Sequence, residues 1–343
     1  MRTQCSQCVM DKSAGEITFN EFGVCNFCFQ AAEAIRFSIK DKWHLNELIE
    51  EIRKKAEKYD ALIGLSGGVD SSMTLHCAVQ LGLKVLTFTI DNGYNDPRAD
   101  ENILRMVEKL KVPFYRYTID LNKFKELQSA FMRAGLINIE IPTDHILMAA
   151  SYEMAEQYNI KYILSGGNVS TESIMPASWS FTARDLTHIK DVYKKMTKKK
   201  LAGLPLCGLL KWNYYRWVKN IKIIYLLDYL DYNRKKSEIM LIKNKYGFQS
   251  TGEKHEENIF TKWFQNFYLF EKFNIDKRKA HLSSLIHSDQ ITREEALFEL
   301  EKNPIYPLFG IEKKVMTYPK HSHYDFKTDK WFNRISKIVR IFR

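Results

Sequence analysis

The stretch ALIGLSGGVDSSMTLHCAV, Ala61 to Val79, passes from an apolar strand-like run into a helix-like run through one turn. That turn holds Ser66, Gly67, Gly68, Asp70, Ser71 and Ser72. Paired glycines let a backbone approach an anion and adopt angles closed to other residues. The helix start that follows presents unpaired N–H groups and a partial positive charge, which together suit a phosphate. The three serines add hydroxyl donors, whereas Asp70 belongs beside phosphates only if it holds Mg²⁺ or orients the loop. The same residues can also make a plain strand-to-helix turn with a serine cap. No GxxxxGK[ST] pattern occurs, so the turn is not a Walker loop.

The unit repeats. ALIGL, KVLTFTID, PFYRYTID and KYILSGGN read as strands, and SSMTLHCAVQLG, PRADENILRMVEKLKV and TDHILMAASYEMAEQYN read as helices between or beside them. Alternation of this kind predicts an α/β fold with a doubly wound, mostly parallel sheet, whose ligands bind beyond the carboxyl ends of the strands. SGGVDSS, DNGYND (Asp91, Asn92) and SGGNVSTES (Ser165, Gly166, Gly167, Asn168, Glu172) all begin at such ends, which predicts one shared site. Alone, DNGYND is a turn signal and the second glycine pair is weak. Ala31 to about Tyr59 reads as helix. After about Lys200 the alternation is expected to stop, leaving a mostly helical region with the capping signal Thr292-x-x-Glu295. The expected divisions are 1–30, 31–210 and 211–343.

Four of the six cysteines lie in the first 28 residues: Cys5-x2-Cys8, then sixteen residues, then Cys25-x2-Cys28. That spacing suits a closed tetrahedral zinc site that folds a segment too short for its own core. Disulfides, an iron–sulfur cluster and a redox or persulfide-carrying pair are the alternatives. Cys77 is expected in the core and Cys207 as an ordinary thiol. No long apolar run reads as a membrane span and the N-terminus lacks a secretory pattern, so a cytoplasmic protein is expected. A net charge of +11 favours anionic partners. Part of it lies in Lys194 to Lys200, and part in a tail carrying Arg334, Lys337, Arg340 and Arg343.

SGGVDSS resembles the PP-loop of the ATP pyrophosphatases, which are HUP-like. This implies ATP cleaved between its α- and β-phosphates, with Mg²⁺ as helper. More of the chain fits a narrower group. CxxCVMD, EITFNEFGVCNFC, LSGGVDSS, DNGY, DHILMAASYEMAEQYNIKYILSGGN and DKRKAHLSSLIHSDQITREEAL together resemble the N-acetyl sugar amidotransferases of surface polysaccharide and nonulosonic acid biosynthesis.

The resemblance implies that the acetamido oxygen of an N-acetylated, nucleotide-linked sugar attacks the α-phosphate. Ammonia then replaces that oxygen to give an acetamidino sugar. It assigns ATP to Ser66, Gly67, Gly68, Asp70, Ser71, Ser72, Asp91, Asn92, Ser165, Gly166 and Gly167. Substrate falls to Asp144, His145, Asn168 and Glu172, and catalysis to Asp70, Lys254, His255, Lys277 and Arg278. Without the resemblance GEKHEEN and DKRKAH read sooner as helix surface with local ion pairs than as substrate contacts, and His321 and His323 read as surface. Neither Arg2 nor the setting of Cys207 suits a glutaminase, so the resemblance implies a separate glutaminase subunit, with a cyclase-like companion, as ammonia source. The basic tail is a candidate docking element for it. No nucleic-acid partner is expected. A PP-loop tRNA sulfurtransferase and a non-catalytic ATP-binding scaffold are the rival readings.

Overall fold

The computed structural model describes residues 3–244, 246–252 and 254–331. The basic tail at Arg334, Lys337, Arg340 and Arg343 lies outside the described residues.

Five parallel strands form one sheet: β1 (Ala61–Gly64), β2 (Val85–Asp91), β3 (Phe114–Thr118), β4 (Tyr162–Ser165) and β5 (Lys222–Tyr225), in the order β3-β2-β1-β4-β5. Ala61, Leu62 and Ile63 are fully buried, as a central strand covered on both faces demands. Their alternation divides the core. Ala61 and Ile63 face the helices Lys42–Lys54, Val69–Gln80 and Pro97–Leu110. Leu62, Leu86 and Ile163 face the helix Ile141–Gln157, with Trp212 and Tyr215. The chain runs from β1 outward to β2 and β3, then returns to β4 on the other side of β1. The loops after β1 and β4 therefore diverge and leave a crevice at the strands' carboxyl ends.

Two expectations change. The alternation continues past Lys200, because β5 pairs with β4 in parallel from Tyr162↔Lys222 to Ser165↔Tyr225. The helical stretch expected from Ala31 to Tyr59 is two helices, Asn26–Ser38 and Lys42–Lys54. The break falls where Ile39 is extended and the Asp41 side chain accepts from His44 N to start the second helix.

The cysteine segment does not stand apart. Its four buried sulfurs share a core with Phe124, Phe131, Trp263, Phe264 and Tyr268. The helix Arg278–His287 ties it to the site region: Ser283 Oγ accepts from Val9 N at 3.2 Å, Ser284 Oγ accepts from Ile174 N at 3.0 Å, and Ser288 Oγ donates to Ser170 O at 2.9 Å. Arg293, beginning the next helix, donates to the carbonyls of Cys5 (3.1 Å) and Cys8 (3.2 Å). That helix carries the expected capping box of Thr292 and Glu295. Among the described residues no helix is long and apolar enough to cross a membrane.

Candidate active site

The turn after β1 needs its glycines. Gly67 has φ 78°, and a Cβ there would lie 2.2 Å from Ala99 O. A Cβ on Gly166, after β4, would meet Ser71 N at 2.9 Å. The two diverging loops are thus packed backbone to backbone at the switch point, with no room for a methyl group. Ser66 and Ser71 bond each other (Oγ–Oγ 3.1 Å), and Ser66 Oγ accepts from Gly68 N at 3.3 Å. These hydroxyls and the first turn of helix Val69–Gln80 face a cavity of about 700 Å³.

A segment from the C-terminal third straps across this cavity. Its carbonyl at Glu257 accepts from Asp96 N (2.9 Å), Ile259 N donates to Tyr94 O (2.8 Å), and Asn258 Nδ2 donates to Asn92 Oδ1 (3.3 Å). The strap lowers Lys254 into the site. Its buried ammonium lies 2.9 Å from Asp70 Oδ2 and 2.8 Å from Glu172 Oε1, and also bonds the Thr171 hydroxyl. Burial opposes the charge of Lys254, but the two carboxylates outweigh it and hold its pKa above the ordinary lysine value. Burial likewise works against the Asp70 carboxylate, while Lys254, Arg234 and the Tyr232 hydroxyl keep its pKa below the ordinary range. Asp70 is expected to hold Mg²⁺ or orient the loop; its oxygens are engaged by Lys254 and Tyr232, which favours orientation. Glu172 and Glu257 also line the cavity, each a hard oxygen donor of the kind Mg²⁺ takes, although the described carboxylates do not gather into a three-ligand cluster.

His255, on a left-handed backbone (φ 66°), places its ring 5.5 Å from that of His281. Burial and the nearby Lys254 and Lys277 hold both imidazoles neutral, well below the ordinary histidine pKa. His281 Nδ1 donates to Thr171 O at 3.2 Å, and its Nε2 is buried without a partner among the described residues.

The opposite wall is the start of helix Ile141–Gln157. Asp144 lines the cavity there, one turn beyond Glu140, whose backbone carbonyl accepts from Asp144 N at 3.1 Å. Burial raises Glu140 to about 8, helped by the negative charge of Asp144; Asp144, which stands open to the cavity, is raised less. Lys277 faces them, its own pKa lowered by burial.

Thirteen assigned positions line the cavity: Ser66, Gly68, Asp70, Ser71, Asn92, Asp144, Ser165, Gly166, Gly167, Glu172, Lys254, His255 and Lys277. Six do not. Gly67 shapes the loop from behind, its carbonyl accepting from Asn102 Nδ2 at 3.0 Å. Ser72 is buried within the first helical turn, its N–H bonded to Gly68 O. Asp91 accepts from Gly93 N and sits 3.9 Å from Arg116. Asn168 caps Val169–Glu172 by accepting from Thr171 N and donating to Gly166 O.

His145 is a core histidine: Nδ1 donates to Ala183 O (2.6 Å), Nε2 accepts from Cys207 N (3.2 Å), and burial lowers its pKa to about 4. Arg278 turns away to Asp276 (2.7 Å) and to the carbonyls of Glu299 and Lys302. His323, expected at the surface, is buried with Nδ1 2.9 Å from His188 Nε2 and its ring stacked 4.7 Å from Phe181.

Several cavity residues carry no local sequence signal: Glu140, Tyr225, Arg234 and Thr261; Glu257 and Asn258 close the GEKHEEN segment, but no role of their own is assigned to them there. Arg234 Nε is buried and unpartnered among the described residues, a cation available to a phosphate oxygen.

The four N-terminal thiols meet at Sγ–Sγ distances of 3.6 Å (Cys5–Cys28), 3.7 Å (Cys8–Cys25) and 3.6 Å (Cys25–Cys28). A tetrahedral ion with bonds of about 2.3 Å sets its sulfurs roughly 3.8 Å apart, so the cage fits a single ion. Sulfur–sulfur hydrogen bonding lowers Cys5 and Cys25 and raises Cys8 and Cys28. Backbone N–H groups of Gln7, Cys8 and Cys25 point at Cys5 Sγ (3.4, 3.4 and 3.3 Å), as they would toward a thiolate. Burial instead pushes Cys77 and Cys207 up to about 11, which leaves both unreactive thiols.

Two family profiles match. Residues 43–206 match NAD synthase, and residues 257–308 match the C-terminal domain of the WbpG-like LPS biosynthesis proteins. An NH(3)-dependent NAD(+) synthetase of Staphylothermus marinus is 31% identical over 172 residues, 46% of this chain and 61% of that protein. The chain therefore spans less than two thirds of that relative's length. Among solved structures, the NH3-dependent NAD synthetase of Campylobacter jejuni has a TM-score of 0.29 at 16% identity, covering 42% of this chain and 58% of that one. NMN synthetase of Francisella tularensis has a TM-score of 0.32 at 13% identity, covering 57% and 97%. The two matched segments follow one another along the chain, and the first of them carries the glycine turn.

Proposed function

We propose that this PP-loop protein is an ATP-dependent amidotransferase that converts the acetamido group of an N-acetylated, nucleotide-linked sugar into an acetamidino group during LPS O-antigen assembly in the cytoplasm. The observation that carries the reading is a convergence. Glu257, Asn258, Thr261, Lys277 and His281, all inside the WbpG-like segment, line the same cavity as the glycine turn of the NAD synthase-like segment. The segment that resembles an LPS biosynthesis domain thus lines the same cavity as the glycine loop, with Glu257 packed against Gly68.

An amide oxygen is a poor leaving group until it is activated. In this reading the helix start, Ser66, Ser71 and Arg234 bind the phosphates of ATP, and Asp70 with Lys254 fixes the loop and its charge. Mg²⁺, taken by Glu172, Glu257 or Asp70 with the phosphates, would neutralise charge that builds on them. The acetamido oxygen bonds to the α-phosphorus as the bond to pyrophosphate breaks. Ammonia then displaces AMP from the activated carbon.

Zinc is the ion we assign to the cysteine cage, in a structural role. Sulfurs this buried suit a closed site better than a sulfur carrier. Ammonia comes from a separate glutaminase subunit, with a cyclase-like companion.

The test is AMP and pyrophosphate release from ATP, Mg²⁺ and ammonium chloride with UDP- and CMP-linked N-acetylated sugars, against Gly166→Ala. Sugar-dependent release with a product about one mass unit lighter supports the reading. Release that requires tRNA and sulfide overturns it in favour of base thiolation.

A further inference from the structure

Among the described residues lining the cavity, Glu140 alone has a carboxylate oxygen that is both buried and unpartnered. Its Oε2 accepts from Thr261 Oγ1 at 2.6 Å, while Oε1 has no hydrogen-bond partner. The residue is only 7% exposed. An unmet buried acceptor is costly, and more so when charged, so a donor supplied by a bound group would recover that cost. Asp144 stands one turn further on, and both lie in the cavity wall.

The chemistry of the wall narrows the donor. Phosphate is repelled by two carboxyl groups. A sugar hydroxyl offers one hydrogen and has no need to lose it. Ammonium offers four N–H donors, is attracted by the carboxylates, and must shed protons before and after it reacts. Of the two acids, burial brings Glu140 nearest in proton affinity to an amine, so transfer between them is not steeply uphill.

We propose that Glu140, backed by Asp144, binds the incoming ammonium and takes its proton, which frees ammonia to attack the activated carbon. This rests on the amidotransferase reading. The acceptor is the ionised form of Glu140: one N–H bond of ammonium breaks and its proton goes to the carboxylate at Oε1. The freed lone pair makes the C–N bond. The new cationic nitrogen gives a second proton to Asp144, the C–O bond breaks, and its electron pair leaves with AMP. Both protons then pass to solvent.

Two measurements separate this role from adenylation. Sugar-dependent ATP–pyrophosphate exchange reads the first step without nitrogen, and the mass of the amidine product reads the second. Glu140→Gln should keep exchange within about threefold and slow amidine formation by about 100-fold or more, and Asp144→Asn should raise the KM for ammonium. Equal loss of both steps in Glu140→Gln, or loss of neither, overturns the proposal.

A substrate-free measurement uses thallous ion, a monovalent stand-in for ammonium, soaked into crystals of the full chain. Anomalous density against Glu140 Oε1 that disappears in Glu140→Gln supports the contact, and no density in the wild type overturns it. Density without exchange for any sugar supports the cation contact while sinking the amidotransferase reading.

Discussion

Lys254 Nζ lies 2.9 Å from Asp70 Oδ2, joining the strap of the C-terminal third to the first turn of the helix behind the glycine loop. The ammonium also reaches Glu172, in the turn after β4, so one side chain holds three separate segments. The nucleotide loop and the roof above it are therefore a single electrostatic unit.

Lys254→Met leaves two carboxylates facing each other without their cation. We expect a loss of roughly 3–5 kcal/mol in stability, the range for breaking a buried pair from one side, and loss of ATP binding. Lys254→Met combined with Asp70→Asn should recover part of the stability and none of the activity. Thermal unfolding and ATP titration of the three proteins check this.

Gly166→Ala and Gly68→Ala should differ. The added methyl at 166 meets the backbone N of Ser71 at 2.9 Å, whereas at 68 it meets the Glu257 carboxylate at 2.9 Å, a side chain that can rotate. Nucleotide exchange should fall by about 100-fold or more in the first and about tenfold or less in the second, if a misplacement of 1 Å costs what it does elsewhere.

Glu140 predicts an unusual pH profile. Its folded-state pKa of about 8 lies above the ordinary 4.5, so the folded protein holds an extra proton between those values. Stability from this group is complete below pH 4.5 and is lost as pH rises toward 8, by at most about 1.4 kcal/mol per pH unit. Glu140→Gln should accordingly raise the melting temperature relative to wild type at pH 8, with the difference vanishing by pH 4.5.

Removing the ion from the cysteine cage with a chelator should release one metal per chain and lower the melting temperature by several degrees. Arg293→Ala should make release faster, because the Cys5 and Cys8 carbonyls lose their donor. Elemental analysis with a stopped-flow chelator dye reads both.

Arg278→Ala should cost stability, about 1–3 kcal/mol for the donors it withdraws from Asp276 and two carbonyls. It should leave the KM for ATP unchanged. Lys277→Ala, one residue earlier, should reduce turnover instead.

That neighbouring pair marks the limit of what could be read in the sequence. The first four strands, the helices beside them, the glycine turn and the cysteine spacing are local patterns, and each lies close to where its own residues place it. Whether Lys277 or Arg278 faces the cavity depends on the angle at which helix Arg278–His287 enters, and no local pattern sets that angle. Glu140 is still less legible. Its burial comes partly from Thr261, in a segment that meets it only after the strap has crossed the sheet. The strand β5 was hidden because KIIY is short and lies between aromatic, lysine-rich stretches. His145, flagged by a family pattern, is spent on the carbonyl of Ala183 and the N–H of Cys207.

The bonds from Arg293 to the Cys5 and Cys8 carbonyls also bear on the order in which the protein can be completed. Cys8 leaves a ribosome 285 residues before Arg293 does. The four thiols can gather early, but they must wait for that long intervening stretch to be made before the helices that clamp them exist. Those same helices, with the residue just ahead of them, deliver Lys277 and His281 to the cavity. A chain released before they are made would carry its nucleotide loop and its metal, yet have no finished pocket in which to spend ATP.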